Sequence, residues 1–338
     1  ITLASTAIGN VAGTVYMNSY NQTGYDRNFT NSGNLTITST GLITGQNTSL
    51  FTMSATGTLQ IANAAGITTS GATGAIQIPG ARTYNAGASY IYNGSVAQST
   101  GTGYPTALTG SLTINNAAGV TITNTARTIT TGTLNLVSGV FETNSGGNRL
   151  SMGSTATINR SGGSMSGTLQ GTGTYDVNYT GNSMTTTTEL SGTGLRNVSV
   201  AMNAGQSVNN ATNAFAISGN LTVTTGNLIL QATDASYTVG GNLSVASTGT
   251  LTHNVSWDAT NKQLTVAGNV AVDGVYTKGS APRSHLSLIG VGKTVRSGTS
   301  SFNILTITGT ITANGAVTVN DNFWPAFGSG SFTTGTNA

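Results

Sequence analysis

The twelve-residue stretch GNLTVTTGNLIL, at residues 219–230, contains the pattern that decides the fold. Leu221 and Val223 are apolar and two positions apart, so both side chains lie on one face of a β-strand. Thr222 lies between them and faces the other way. Gly219 and Asn220 precede the strand, and both residue types tolerate the positive φ that a sharp corner demands. The stretch therefore predicts a corner, a short strand and a second corner.

Versions of this pattern recur along the chain, as GNLTITSTGLI at residues 33–43, GSLTINNAAGVTI at 110–122 and GNLSVASTGTL at 241–251. A glycine precedes the first apolar position by two residues in each copy and in several further strands. These glycines are Gly33, Gly57, Gly110, Gly132, Gly219, Gly241 and Gly268. The step from Gly219 to Gly241 is 22 residues, and the next step, to Gly268, is 27. A period of about 20–30 residues with two or three strands in each repeat is typical of a β-solenoid.

The composition agrees with a solenoid. Charged residues make up 6% of the 338 positions, against about 25% in ordinary soluble domains, and 47 residues are glycine. Hydrophobic residues make up 37% and alternate with polar ones, which argues against disorder. A solenoid grows along one axis, so residues 1–338 are predicted to form one elongated domain, as a segment of a longer chain. Loop-rich insertions are expected near 82–110 and 273–302, where tyrosines and charged residues cluster.

A row of β-sandwiches is the alternative fold. It requires hairpin signals every 8–12 residues and a larger aromatic core. Asn-Gly hairpin signals occur only at Asn93 and Asn314, and aromatic residues make up 6% of the chain. We therefore favour an all-β fold, a parallel β-helix with coils of roughly 20–30 residues, and leave its handedness open.

Several classes of function are disfavoured by composition. The chain has no cysteine, so disulfides and thiolate sites are excluded. Its net charge of +3 comes without a run of Lys or Arg, so no nucleic-acid partner is expected. No stretch approaches about 18 continuous apolar residues, so no membrane span is expected. The first ten residues, ITLASTAIGN, lack the basic and apolar regions of a signal peptide.

Catalytic groups are sparse. A polysaccharide-cleaving β-helix needs carboxylates clustered on one groove. The carboxylates are scattered, and they are Asp26, Glu142, Asp176, Glu189, Asp234, Asp258, Asp273 and Asp321. His253 and His285 are the only imidazoles, which is too few for a typical zinc site. The sequence therefore predicts a protein that is not an enzyme and has no cofactor, and it leaves open an isolated calcium ion.

Aromatic residues provide the candidate binding site. Tyr84, Tyr90, Tyr92 and Tyr104 are the candidates for an exposed platform that stacks on sugar rings, and packing at a corner is the alternative that we favour for them. A second group, near the C-terminus, is expected to cap an end of the solenoid or to contact a neighbouring segment of the same or an identical chain. Its members are Phe323, Trp324 and Phe327.

A resemblance appears where three blocks follow one another. Residues 90–101 read YIYNGSVAQSTG, residues 112–122 read LTINNAAGVTI, and residues 132–139 read GTLNLVSG. In this order they resemble the repeat-rich surface proteins of Bacteroidota. The resemblance implies a long extracellular β-helix linked to adhesion, with the type IX export machinery as a partner. A signal peptide and the sorting domain that begins Tyr-Pro-Asn-Pro are not found in the sequence, so the export route rests on resemblance alone.

The function expected from the sequence is a non-catalytic structural or adhesive segment of a secreted or cell-surface bacterial protein, such as a stalk, fibre or adhesin. Neighbouring segments and surface glycans are its expected partners. One alternative is a carbohydrate-binding or polysaccharide-degrading β-helix. Another is an ice- or surface-binding solenoid, because Thr-x-Thr units such as LTITST, at residues 35–40, bind ice when they align on a flat face.

Overall fold

The computed structural model describes residues 2–4, 6–17, 28–46, 49–123, 125–143, 150–170, 173–211, 214–231, 235–255, 262–325 and 331–334. Across these residues the fold is an all-β parallel β-solenoid of about 13 turns, with about 22 residues in each turn and no α-helix. The predicted fold class is confirmed. The chain divides into two compact units, Ile1–Gly173 and Thr174–Ala338.

The first unit has up to three strands in each turn, and each strand pairs in parallel with its equivalents in adjacent turns. Its described strands are β1 (Thr2–Leu3), β2 (Ile8–Val11), β3 (Thr14–Met17), β4 (Phe29–Asn31), β5 (Asn34–Ile37), β6 (Leu42–Gly45), β7 (Phe51–Met53), β8 (Thr58–Ile61), β9 (Ile76–Gln77), β10 (Arg82–Tyr84), β11 (Ser89–Tyr92), β12 (Gln98–Ser99), β13 (Ala107–Leu108), β14 (Ser111–Asn115), β15 (Val120–Thr121), β16 (Arg127–Ile129), β17 (Thr133–Ser138), β18 (Val140–Glu142), β19 (Leu150–Met152), β20 (Ala156–Arg160) and β21 (Ser164–Ser166).

Stacked apolar side chains fill the interior of the first unit. The central sheet runs through β5, β8, β11, β14, β17 and β20, and the alternation of side chains sends every second residue inward. One inward column joins equivalent positions of six strands, all of them 1% exposed or less. Its members are Leu35, Leu59, Tyr90, Leu112, Leu134 and Ile158. The period-two pattern read from the sequence therefore marks the core.

One turn of the first unit is longer than its neighbours. Tyr90 pairs with Leu59, 31 residues earlier, because the chain makes an excursion before β10. Buried Arg82 closes this excursion, since its Nε donates to the Ile78 carbonyl at 2.8 Å and its Nη2 to the Gly71 carbonyl at 2.6 Å. Carbonyl oxygens thus solvate the guanidinium, and burial lowers its pKa.

The second unit has longer strands that bend from one face to the next. Its described strands are β22 (Tyr175–Gly181), β23 (Met184–Thr185), β24 (Leu195–Met202), β25 (Ser207–Asn210), β26 (Phe215–Ile217), β27 (Leu221–Leu230), β28 (Tyr237–Val239), β29 (Leu243–His253), β30 (Leu264–Val266), β31 (Val270–Val272), β32 (Val275–Thr277), β33 (His285–Leu288), β34 (Val291–Arg296), β35 (Phe302–Ile307), β36 (Thr310–Ala313), β37 (Val319–Pro325) and β38 (Ser331–Thr334). A 3₁₀ turn, Thr188–Leu190, lies between β23 and β24.

Strand β27 is the stretch that introduced the pattern. Leu221 and Val223 are fully buried and pair with Leu243 and Val245 of the next turn, as the alternation predicts. The second predicted corner, at Gly226, is a bend inside a continuous strand, where the glycine adopts a φ of 74°. Strand β27 therefore pairs with both β24 and β25, which lie on either side of a corner in the preceding turn.

The glycines before the strands do not have the predicted backbone conformation. None of the seven has a positive φ. A Cβ atom built on Gly132 would instead lie 2.0 Å from the Gly110 carbonyl oxygen, and one on Gly268 would lie 2.2 Å from the Gly241 carbonyl oxygen. Close stacking of successive corners therefore requires glycine at these two positions. The expectation of a left-handed backbone is wrong for the seven glycines that precede the strands, whereas it holds at the second corner, Gly226.

Asparagine follows several of these glycines in the sequence, and in the fold these asparagines form a column of hydrogen bonds between successive turns. The Oδ1 atom of Asn197 accepts a hydrogen bond from the backbone N–H of Asn220 at 2.8 Å. The Oδ1 atom of Asn220 in turn accepts one from the backbone N–H of Asn242 at 2.8 Å. Asn242 accepts from the N–H of Asn269 at 2.9 Å, and Asn269 from that of Thr294 at 2.9 Å. Each side chain thus holds the backbone of the following turn, and we call this series the asparagine ladder.

Replacing Asn242 by alanine is expected to lower the free energy of unfolding by about 1 kcal/mol, because the N–H of Asn269 loses its acceptor. The matched variant Asn242→Asp retains an acceptor oxygen and should stay within about 0.5 kcal/mol of wild type. Urea unfolding followed by circular dichroism measures both. Equal stability of the alanine and aspartate variants would show that the ladder contributes nothing.

Candidate binding groove

The four tyrosines proposed as an exposed platform lie mostly inside the first unit. Tyr90 and Tyr92 have no exposed surface, Tyr104 is 2% exposed, and Tyr84 is half-buried. The Tyr92 hydroxyl donates to the Thr100 carbonyl at 2.6 Å. No stack of open ring faces forms, so the expected platform is corrected to an internal cluster, and burial raises the pKa of all four hydroxyls.

The signal for this burial is present in the sequence. Tyr90 and Tyr92 alternate with Ser89 and Ile91, in the same period-two pattern that places Leu112 inside the next turn. Aromatic composition suggested a binding surface, whereas alternation predicts the interior. The longer turn before β11 accompanies these larger side chains.

The C-terminal aromatic residues lie in β37. Phe323 is 40% exposed, and its ring centre is 5.4 Å from that of Phe332 in an edge-on arrangement. The Trp324 ring lies 6.1 Å from His285, also edge-on. Phe327 is outside the described residues. Their role as an end cap or a contact to a neighbouring segment stays a prediction.

Two aspartates form cross-turn ion pairs with arginines. Asp176 accepts from Arg196 Nε at 2.9 Å and Nη2 at 2.6 Å, and Asp273 accepts from Arg296 at 2.7 and 2.6 Å. Burial opposes ionisation of Asp176, but hydrogen bonds from Arg196 and Asn197 outweigh it and hold the pKa of Asp176 below its usual value. These carboxylates therefore join adjacent turns.

Glu189 is fully buried and hydrogen-bonded within the second unit. Its carboxylate accepts the Tyr179 hydroxyl at 2.8 Å and the backbone N–H of Thr187 at 3.1 and 3.0 Å. Within the described residues, no three His, Asp or Glu side chains converge as a metal-binding group. Asp26, Asp234 and Asp258 lie outside those residues.

His253 lies in the apolar interior of the second unit. Its Nδ1 is 2.9 Å from the Tyr276 hydroxyl, and its Nε2 has no hydrogen-bond partner among the described residues. The rings of Tyr237 and Tyr276 flank it edge-on, each 6.3 Å away. Burial, and secondarily the nearby His285, lowers the pKa of His253 to about 3.

Threonines stack in register on one sheet of the first unit. Thr30 pairs with Thr52, and Thr52 with Thr83. The column is one residue wide, because each of these three-residue strands turns only its middle residue outward. On these strands the aligned Thr-x-Thr pairs expected of an ice-binding face do not form.

The candidate site is an open groove of about 590 Å³ on the second unit. It lies along the bend of the solenoid. In one turn this bend is the corner between β24 and β25, and in the next two turns it lies within the continuous strands β27 and β29. Irregular register near Val200 and Val223 accompanies the bend. The groove is lined by Met202, Ala204, Gly205, Gln206, Thr225, Gly226, Asn227, Thr248 and Thr250.

The groove is not apparent from the sequence. Six of its nine lining residues are the Thr, Asn and Gly that occur throughout the chain, and the other three are Met202, Ala204 and Gln206. The available signal was the additional residue in the second copy, where VASTGTL replaces VTTGNL. That insertion alters the register between β27 and β29 at the bend.

Comparison with family models, curated proteins and solved structures gave no match. Among the described residues, no helix has the length and hydrophobicity required to cross a membrane.

Proposed function

We propose that the chain is a non-catalytic structural and adhesive segment of an extracellular bacterial surface protein. In this role the solenoid extends a surface and presents its outer faces to neighbouring segments or surface glycans. Its backbone ladders and internal side-chain columns provide the stiffness.

The asparagine ladder is the observation that carries this proposal. Residues that repeat most visibly in the sequence are used to fasten one turn to the next, as in the bond from the Asn242 N–H to Asn220. Two of the three described aspartates serve a similar purpose, because Asp176 and Asp273 pair with arginines of adjacent turns. Because these polar side chains bond to adjacent turns, they favour the role of a scaffold over that of a catalyst.

The resemblance of residues 90–139 to repeat-rich surface proteins of Bacteroidota supports the extracellular assignment. Export through the type IX machinery is part of the same proposal. The absence of cysteine is compatible with this location, because a parallel solenoid is held together by hydrogen bonds and packing.

Adhesion under flow tests the proposal. Beads coated with the chain should detach from bacterial cells, protein-coated glass and glycan-coated glass at higher shear than beads coated with albumin. Incubation of the chain with a polysaccharide panel should release no reducing ends. Detachment equal to that of albumin beads on every surface would contradict adhesion, and steady product release would contradict the non-catalytic role.

A further inference from the structure

We infer that the groove at the bend of the second unit binds an uncharged oligosaccharide, which names the ligand class for the proposed adhesive function and rests on it. The groove volume of about 590 Å³ lies within the range of about 300–1,000 Å³ that is usual for small-molecule sites. The lining residues contain no side chain that carries a charge near neutral pH.

Two carboxamides supply hydrogen-bond donors. Asn227 uses its Oδ1 to accept from the Thr252 hydroxyl at 3.0 Å, and Gln206 uses its Oε1 to accept from the Ser183 N–H at 3.0 Å and hydroxyl at 2.9 Å. These bonds fix which end of each amide is occupied. The Nδ2 of Asn227 and the Nε2 of Gln206 have no partner within the described part of the chain, so both remain available as donors.

Threonine hydroxyls supply the acceptors. Thr225 donates its hydroxyl proton to the Met202 carbonyl at 2.7 Å, and Thr248 donates to the Thr224 carbonyl at 2.8 Å. Because each hydroxyl has a single proton, these oxygens are left with lone pairs for a ligand. Thr225 and Thr248 are in register on adjacent strands, which repeats the acceptor along the solenoid.

This combination of donors and acceptors fits the hydroxyl groups of a sugar, since each hydroxyl both donates and accepts. A charged ligand would lose hydration in the groove without gaining an ion pair, because none of the lining side chains is ionised. The Thr methyl groups and Ala204 supply apolar contact for the C–H face of a pyranose ring. Uncharged glycans are therefore favoured over uronates and sulfated glycans.

The lining also leaves space close to the backbone. Gly205 has a φ of 75°, and a Cβ built on it would have no atom within 4 Å. Ala204, beside it, is exposed. A bulky side chain at Ala204 would enter the groove without displacing packed residues, which makes this position suitable for a blocking variant.

A glycan array carrying neutral gluco-, xylo- and manno-oligosaccharides together with uronate and sulfated oligosaccharides tests the inference, followed by titration calorimetry with the best neutral ligand. Wild type should bind neutral members in preference to charged ones. Ala204→Trp should abolish binding, whereas the control Ala117→Trp, at an exposed corner of the first unit, should leave it unchanged. Thr248→Val should weaken affinity about fivefold through the loss of one hydrogen-bond acceptor.

Circular dichroism and thermal melting establish that each variant is folded. Three results would overturn the inference. The wild-type protein could bind no neutral glycan, it could bind charged glycans equally well, or it could have the same affinity as Ala204→Trp. Beads that adhere under flow while the groove variants bind glycans normally would leave the adhesive function standing and remove this site. Binding of soluble glycans by the groove without adhesion of the beads would support this site and contradict the adhesive function.

Discussion

Lowering the pH from 6.5 to 3 is expected to destabilise the second unit by up to about 5 kcal/mol through His253 alone. In the unfolded chain this imidazole titrates near its ordinary pKa of 6.5, whereas in the fold its pKa is about 3. Between these values the unfolded state binds a proton and the folded state does not, at about 1.4 kcal/mol for each pH unit. His253 therefore does not reduce the stability of the fold above pH 6.5. As the pH falls from 6.5 towards 3, the free energy of unfolding decreases.

The surroundings of His253 explain why the folded state resists the proton. Tyr237 and Tyr276 enclose the ring, and the described residues offer no carboxylate to an imidazolium. His285 lies close enough to oppose a second positive charge. Burial lowers the pKa of His285 as well, so the two histidines act in the same direction.

His253→Phe separates this contribution from the rest of the molecule. Urea unfolding at pH 7.5, 6, 5 and 4 should give a shallower pH dependence for the variant, while the carboxylates titrate in both proteins and cancel in the difference. At pH 7.5 the variant should lose only about 1 kcal/mol, because the Tyr276 hydroxyl loses one partner. Parallel stability curves for the two proteins would show that His253 does not couple folding to pH.

Gly132→Ala is the second substitution with a large expected effect, a loss of about 3 kcal/mol in the free energy of unfolding. The new Cβ would lie 2.0 Å from the Gly110 carbonyl oxygen and 3.0 Å from its carbon. Both obstacles are backbone atoms, so two stacked turns must separate to admit the methyl group. Thermal and urea unfolding of the isolated chain measure the loss.

Two glycines of the same unit serve as controls. At Gly71 an added Cβ meets nothing within 4 Å, but the φ of 82° strains any L-residue, so Gly71→Ala should cost about 1–2 kcal/mol. Gly13 has open space and no left-handed φ, so Gly13→Ala should change stability by less than about 0.5 kcal/mol. A loss at Gly132 no larger than that at Gly71 would refute the close-stacking explanation.

The elements that the sequence predicted best are those that depend on local alternation. Leu221 and Val223 are inward because a strand has a period of two residues, and the spacing of about 22 residues follows from the repeat. The role of Gly132 was not predictable, because its constraint comes from a carbonyl 22 positions earlier, and only the stacking distance reveals it.

The candidate site was less accessible to sequence reasoning. Tyr90 and Tyr92 are candidates for a sugar-binding surface because aromatic rings often bind sugars, whereas their alternation along the strand predicts the interior, where both side chains lie. The groove depends on how a bend and one additional residue shape three successive turns. Asn227 and Thr248 differ in nothing but position from dozens of other Asn and Thr residues, so their candidate role follows from the three-dimensional arrangement.

The asparagine ladder also bears on how such a chain can change length. Each rung joins equivalent atoms of adjacent turns, as the bonds from Asn242 to Asn220 and from Asn269 to Asn242 illustrate. A tandem duplication of one whole repeat would place a new donor and a new acceptor in the same positions, so every rung would re-form. An insertion of a few residues on the ladder face would instead break one rung. Duplication of whole repeats is therefore a route by which a gene for this fold can lengthen its product without redesigning the interior.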